Sequence, residues 1–577
     1  MRYLTLASDY DGTLATDGLV GDDIVAALTR LRKSGRKLIL VTGRELPELQ
    51  IVFPAHEIFD WIVAENGALL YRPADRSQKL LAPAPPEALV AEIRRKGVER
   101  LSIGAAILAT WRPYETALFE AIRDQGLDYH IIFNKDAVMA LPGGVTKASG
   151  LEAALKEAGL SSHNVVGIGD AENDHAFLDM CELSVAVANA IDSLKQRVDL
   201  VTEADHGAGV VELIDGLLED DLVRLEDRLE RHHVALGRRD DGSAVQVKPY
   251  GENLLVAGSS GSGKSTLATG LIERLIGHGY RVCVVDPEGD YGALEKAVAL
   301  GSAQHPPLID EAVKLFLQHA GPSVVVNLVG IHLADRPRFF MTLLSRLQEL
   351  RVANGQPHWI VIDEAHHVLP AAWEPAWPNL PERLDRVALV TLEADSIARQ
   401  LLPSIDSVIA VGERADATLK TFAELRETPL PAINATAPPG GALMWRVSAD
   451  EEPFAIEIAR SSATHHRHVR KYAEGDLGPD RSFYFRGREG KLNLRAQNLM
   501  LFVQIAAGID DDTWLFHLRQ HDYSTWFREE VKDPALADET RDVEDAAELN
   551  GAETRERILA LVTERYTAPA SGSISTK

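Results

Sequence analysis

The sequence predicts an α/β protein with more than one parallel sheet, and three observations carry that expectation. Short apolar runs recur through the first two-thirds of the chain, at 3–8, 37–42, 61–64, 165–168, 254–257, 282–285, 323–328, 359–362, 387–391 and 407–411. Helical patterns lie between them, for example at 22–34, 149–158 and 265–278. Buried strands alternating with helices make parallel sheets covered on both faces. Third, 577 residues exceed one hydrophobic core, since domains run to roughly 100–200 residues each.

The alternation is interrupted twice. A charged stretch at 217–233 reads as one connecting helix. Near 460 the alternation stops, leaving a mixed, aromatic-rich segment at 461–540 and an acidic helix with a Ser/Gly/Thr tail at 541–577. The expected domains are therefore 1–216, 234–460 and a small, mostly helical module at 461–540.

Composition narrows the function. The net charge is −26 and the pI about 5.2, so the whole chain is not expected to condense on nucleic acid phosphates. The two cysteines, Cys181 and Cys283, are far apart and lack metal-ligand spacing, which argues against a disulfide framework or a structural zinc site. No run approaches 18 apolar residues. No charged segment and cleavage site precede the first strand, so no membrane span and a cytoplasmic location are expected.

Four separated features converge on one site. Asp9-Tyr10-Asp11-Gly12-Thr13 follows the first strand, and Val41-Thr42-Gly43-Arg44 ends the second. Lys147 opens a helix, and Gly169-Asp170-Ala171-Glu172-Asn173-Asp174 follows a later strand. Strand ends are where open α/β sheets bind ligands. Asp9 suits nucleophilic attack on a phosphoryl group. Asp11, two residues on, suits the general acid and base. Asp9, Asp170 and Asp174, with Asp11 beside them, offer hard oxygen ligands for Mg²⁺. Thr42 offers a hydroxyl and an N–H to phosphate, and Lys147 a positive charge for the transition state. Asn173 is expected to orient a water or a carboxylate.

These motifs, with 64–68 (AENGA), make residues 1–216 resemble the haloacid dehalogenase (HAD) phosphatases, in the Cof-like branch with an α/β cap. The resemblance implies a Rossmann-like parallel sheet, a cap at about 83–141, an aspartyl-phosphate intermediate and Mg²⁺. It points to a small phosphorylated substrate such as a sugar phosphate or phosphoglycolate. Tyr10 stands where that family commonly has Leu, Phe or Ile.

A second site follows. Gly258-Ser259-Ser260-Gly261-Ser262-Gly263-Lys264-Ser265-Thr266 lies between a strand and a helix, the setting a phosphate-cradling P-loop requires. Lys264 is expected to reach the β- and γ-phosphates of ATP, and Ser265 to hold its Mg²⁺. Asp363 and Glu364 end an apolar strand, the first suited to the metal and the second to polarising water. With the acidic segment Asp286-Pro287-Glu288, residues 234–415 resemble HerA/FtsK-type ATPases. That implies a homo-oligomeric ring, and a polar sensor at Thr391 where the family often has Gln. Arg383, Arg386, Arg399 and Arg414 are candidate arginine fingers.

The expected activity is thus a Mg²⁺-dependent phosphomonoesterase fused to an ATP-hydrolysing domain that couples to it or regulates it. Two alternatives remain: nucleic-acid end processing, disfavoured by the charge and by Glu364, and an ATP-controlled assembly platform in stress or phage defence. Basic and aromatic residues are interleaved at 465–528. They suggest either nucleic-acid stacking or, preferred here, an aromatic core with paired basic residues.

Overall fold

A computed structural model describes residues 1–134, 136–228, 232–259, 262–371, 384–447, 449, 451–459, 481–531, 533–546 and 548–566. The chain forms two compact units, one of residues 1–289 and 295–459, the other of 290–294 and 460–577.

The first unit holds two large α/β sheets. The N-terminal sheet has eight strands, in the order Leu200–Val201, Leu183–Ala186, Val165–Gly169, Thr5–Ser8, Lys37–Val41, Trp61–Ala64, Leu69–Arg72, Ser77–Leu80. It is parallel as far as Trp61–Ala64, and the last two strands run antiparallel. Thr5–Ser8 lies between a strand that follows it in the chain and one from much later. Loops therefore diverge at its C-terminal end and leave the crevice where ligands bind. Its four residues are all buried, and Leu6, Leu38, Leu40, Val166 and Ile168 share its core.

Inserted between the core strands is a four-stranded antiparallel sheet, ordered Leu101–Ile103, Leu108–Trp111, Ala137–Pro142, Tyr129–Asn134. The helices Glu87–Arg95 and Glu115–Asp124 share its own small core through Leu89, Ile93, Leu118 and Val138. This is the cap.

The second sheet has eleven strands. The P-loop strand Leu254–Ala257 is flanked by Val387–Thr391 and Ser407–Val411, both parallel to it. Val387–Thr391 separates it from the acidic strand Trp359–Ile362, which pairs onward with Val282–Asp286. Ala442–Arg446 and Phe454–Ile458 extend the sheet antiparallel.

The two sheets meet through residues that precede their strands. Tyr280 enters Val282–Asp286, and its hydroxyl donates to both oxygens of Glu182 at 3.0 and 3.2 Å. Its ring stacks on His163 at 4.1 Å. Glu182 also takes bonds from His163 Nδ1 at 2.7 Å and Arg2 Nη2 at 3.0 Å. Tyr250 donates its hydroxyl to the His163 carbonyl at 2.7 Å. Burial alone would raise the Glu182 carboxyl. The His163 hydrogen bond and the charges of His163, His232 and Arg2 outweigh it and hold the group down at about 2.

The charged stretch 217–233 is not one helix. The helix His206–Asp220 ends where Asp221 and Leu222 both take left-handed φ values of 58° and 62°. Arg36 fixes that end by donating to the Leu217 carbonyl and to Asp221, both at 2.8 Å. A short 3₁₀ turn, Val223–Arg228, follows.

Among its described residues the second unit pairs the strands Phe483–Phe485 and Leu494–Ala496 and adds five helices, from Leu499–Gly508 to Gly551–Tyr566. Phe485, Phe502, Trp514, Tyr523 and Phe527 are fully buried in its core. These aromatics are structural, as preferred from the sequence, and are not available to stack on bases. The basic cluster 465–472 lies outside the described residues. Among the described residues no helix is long and apolar enough to cross a membrane.

The depressed Glu182 carboxyl makes the junction acid-sensitive. Its contribution to stability is complete above the ordinary carboxylate range and is lost as pH falls from about 4.5 toward 2. Glu182→Gln should cost about 3 kcal/mol at pH 7, and the difference from wild type should shrink over that acid window in denaturant melts. A difference that stays constant from pH 7 to pH 3 would contradict the role of the charge.

Candidate active sites

Asp9 continues the central strand, its N–H bonded to the Ile168 carbonyl at 3.0 Å, and its side chain is buried. The chain then turns at Gly12, where φ is +85° and a Cβ would lie 2.2 Å from Asp170 Oδ2. Any larger residue there would displace the Asp170 carboxylate. Thr13 Oγ1 donates to Asp170 Oδ1 at 3.2 Å. Asp174 accepts the N–H groups of Asp170 and Ala171 through Oδ2, each at 2.9 Å.

Lys147 is the first residue of the helix Lys147–Ala158, whose N-terminus is closed by a capping box between Thr146 and Ser149. Gly67, at φ +106°, lets that terminus approach so closely that a Cβ would lie 1.9 Å from the Thr146 carbonyl oxygen. The result is a buried ammonium 2.5 Å from Asp9 Oδ1 and 2.6 Å from Asp174 Oδ1. Burial opposes the Lys147 charge, but Asp174 and Asp9 overcome it and raise its pKa. Burial raises the Asp9 carboxyl well above its ordinary range, Lys147 works against this, and the charges of Asp174 and Asp170 add to it.

Oxygens of Asp9, Asp170 and Asp174 lie within 4.8 Å of one another. The Lys147 ammonium is bonded to two of these three carboxylates, so the donor set and its charge fit a hard dication such as Mg²⁺. Asp11 is not in this group. Its carboxylate is gripped by Arg44, with Nε to Oδ2 and Nη2 to Oδ1 both at 2.7 Å. The expectation of a metal-facing Asp11 carboxylate is not met, because the bidentate pair turns it toward Arg44.

Thr42 is fully buried at the end of its strand. Its N–H bonds to the Val63 carbonyl at 2.8 Å and so is spent within the sheet. Its hydroxyl accepts the Arg44 N–H at 3.1 Å. Of the two groups expected to serve phosphate, only the hydroxyl is left. Asn173 donates to Asn66 Oδ1 at 3.1 Å, so it braces the loop after Trp61–Ala64. The sequence reading missed Arg44 as the clamp of Asp11, although Arg44 lies within a motif it quoted.

The second site is also built at strand ends. Gly258 allows the close approach of the Val411 carbonyl oxygen, 2.2 Å from where a Cβ would sit. Gly263 takes φ +107° to open the helix Lys264–Gly277, with Lys264, Ser265 and Thr266 in its first turn. Gly261 lies outside the described residues. Lys264 Nζ donates to the carbonyls of Gly258 and Ser259 at 2.7 and 3.0 Å, which folds it back on its own loop. Burial lowers its pKa, and Glu364, Asp363 and Glu288 oppose that. Ser262 Oγ is buried without a hydrogen-bond partner among the described residues.

Asp363 continues the acidic strand, its N–H bonded to the Val285 carbonyl at 3.1 Å. Glu364 takes a left-handed φ of 41° and lies 3.5 Å from His366 Nδ1. Thr391 Oγ1 meets Ser396 Oγ at 2.7 Å and His366 Nδ1 at 3.4 Å. His366 Nδ1 thus lies near both Glu364 and Thr391. Arg386 pairs with Asp385 and Arg399 with Glu427. Arg386 also precedes its strand, at the end of the sheet away from the P-loop. Arg383 is outside the described residues.

Two family models match this chain. A family model described as haloacid dehalogenase-like hydrolase matches residues 6–99 and 107–214. One described as the central domain of helicase HerA matches 241–342. Phosphoglycolate phosphatase 2 of Saccharolobus solfataricus is 33% identical over 225 residues, 37% of this chain and 92% of that enzyme. Phosphoglycolate phosphatase of Methanothermobacter thermautotrophicus is 30% identical over 216 residues, 36% of this chain and 96% of that enzyme. A crystal structure of a haloacid dehalogenase-like hydrolase from Bacteroides thetaiotaomicron aligns over 37% of this chain and all of its own, at 20% identity and a TM-score of 0.34.

Crowding of the three carboxylates gives a two-sided prediction. Asp170→Asn should weaken Mg²⁺ binding, measured by calorimetry, at least about tenfold. Its melting temperature without metal should be unchanged or higher, because one like charge is gone. Unchanged Mg²⁺ affinity would remove Asp170 from the metal site.

Proposed function

Since this chain belongs to the haloacid dehalogenase-like hydrolases, we propose that its N-terminal domain hydrolyses a small phosphomonoester through an aspartyl-phosphate on Asp9. The observation that carries this reading is the buried Asp9 carboxylate, set at the sheet's switch point with Lys147 and two further carboxylates around it.

In the first step an Asp9 oxygen attacks phosphorus as the bond to the leaving oxygen breaks, and Asp11, entering protonated with one oxygen released from Arg44, gives that leaving oxygen its proton. In the second step water attacks the phosphorus of the aspartyl-phosphate, Asp11 takes the water's proton, and phosphate leaves with Asp9 restored. Arg44 fixes the Asp11 carboxylate from one side and keeps it apart from the other three. Lys147 carries its charge beside Asp9, where the phosphoryl oxygens gather negative charge. The Thr42 hydroxyl is the remaining donor for a phosphoryl oxygen. Asp9, Asp170 and Asp174 would hold Mg²⁺, which supplies charge neutralisation for the phosphate.

The substrate class proposed is phosphoglycolate or a sugar phosphate of similar size. The names of the relatives support the first, and the small separate cap supports a small leaving group. In the second domain Lys264, Ser262 and Ser265 would hold the phosphates and Mg²⁺ of ATP. Asp363 would complete the metal site and Glu364 would polarise water. Ring assembly through this domain belongs to the same reading, and a solution-mass measurement with and without ATP tests it.

Both sites follow their strands, whereas the contacts joining the two sheets precede them. A five-residue strand spans about 16 Å, so the sites lie at outward-facing ends of the two sheets. This supports ATP turnover acting on the phosphatase through the protein rather than by handing over a phosphoryl group.

Phosphate release from a panel of phosphomonoesters with Mg²⁺ tests the reading. Asp9→Asn should lose at least about 10³-fold in kcat and keep ATP hydrolysis. Lys264→Ala should lose ATP hydrolysis. A wild type that releases phosphate only from ATP would contradict the phosphatase assignment of function.

A further inference from the structure

Glu65 is a charged residue in a place that nothing local explains. It follows the strand Trp61–Ala64, is 1% exposed, and takes a left-handed φ of 53°. Asn66 and Gly67 are also left-handed, at 52° and 106°. Asparagine and glycine tolerate that region, but glutamate does not favour it. A strained side chain persists where its surroundings over-determine it.

What determines it is the cap. Glu65 Oε1 accepts the N–H of Ala105 at 2.8 Å, and Oε2 accepts those of Ala106 at 2.9 Å and Ile107 at 3.3 Å. These amides form the turn between the cap strands Leu101–Ile103 and Leu108–Trp111. Three successive N–H groups around one carboxylate make a strong charge-assisted contact. Gly104 is required for it, because a Cβ there would lie 2.8 Å from Glu65 Oε2.

The other end of Glu65 is anchored in the catalytic loops. Its own N–H bonds to the Arg44 carbonyl, and that of Asn66 to the Thr42 carbonyl, each at 3.0 Å. The residue that grips the cap thus hangs on the loop whose Arg44 grips Asp11. Ala106 and Ile107 pack with Ala68, Leu141 and Val145, where the chain returns from cap to core. A second link, from Ser102 Oγ to Glu45 Oε1 at 2.5 Å, joins the same cap strand to the loop after Lys37–Val41.

We propose that Glu65 is a positioning residue: its carboxylate, seated in the Ala105–Ala106–Ile107 turn, holds the cap in its closed pose, and the cap opens by releasing it. The proposal rests on the phosphatase reading for its kinetic consequence, though not for the contact itself. Substrate binding and closure are linked, so weakening the latch raises KM, while saturating substrate still drives closure and keeps kcat.

The test uses the full chain and two variants. Glu65→Gln keeps the shape but sets an NH₂ group against backbone N–H groups. Glu65→Asp keeps the charge one methylene shorter. For the best phosphomonoester of the panel, Glu65→Gln should raise KM at least about tenfold with kcat within about twofold, and Glu65→Asp should raise it less. Hydrogen exchange at amides 105–107 should quicken at least about tenfold in Glu65→Gln, with amides of Val165–Gly169 unchanged. Quickened exchange with unchanged KM would reduce the contact to a structural one and overturn the proposal. Unchanged exchange at 105–107 would overturn it outright. If the wild type hydrolyses no phosphomonoester, the functional reading fails, while the exchange experiment still decides whether Glu65 holds the cap.

Discussion

Lys147 stands between Asp9 and Asp174 at hydrogen-bonding distance from both, and the N-terminal site depends on that contact. Three carboxylates drawn this close, two of them buried, repel one another and resist ionisation. The ammonium makes the gathering tolerable, and a dication would complete the balance of charge. Much of the local structure serves to place that one nitrogen. The Thr146–Ser149 capping box starts the helix at Lys147, and Gly67 lets its first turn lie against the neighbouring loop. The parallel sheet then brings the ends of Thr5–Ser8 and Val165–Gly169 side by side beneath it.

The same logic separates the work of the two aspartates in the first motif. Asp9 lies in the charged centre, and Asp11 is held outside it by the Arg44 fork. Two groups two residues apart thus have different partners, which suits the nucleophile and the proton carrier proposed for them. The loop that carries Arg44 also carries the backbone bond to Glu65. Cap position and the placement of Asp11 are therefore set by one short stretch of chain.

Strand ends followed by Asp, Gly and Lys motifs were legible because each site residue sits beside its own strand in sequence. Asp9, Asp170, Lys264 and Asp363 could be located that way, and so could the strand and helix ranges around them. Contacts that join distant segments were not legible. Glu65 reads as a loop acid until the fold brings residues 105–107 to it, and Glu182 has no sequence signal pairing it with Tyr280. The break after Asp220 was missed because Asp221 and Leu222 are left-handed without being glycine or asparagine. Thr42 was given two phosphate donors because a sequence does not reveal that its N–H is taken by Val63.

The central claim is that Asp9 carries the phosphoryl group, and trapping that species addresses it most directly. Substrate labelled in its phosphoryl group is mixed with excess enzyme and Mg²⁺, quenched in acid within one turnover, and the protein is digested. The account predicts acid-stable, hydroxylamine-sensitive label on the peptide containing Asp9, absent from Asp9→Asn. Free labelled phosphate produced at full rate, with no label on the protein at any time, would mean direct attack by water and would contradict it.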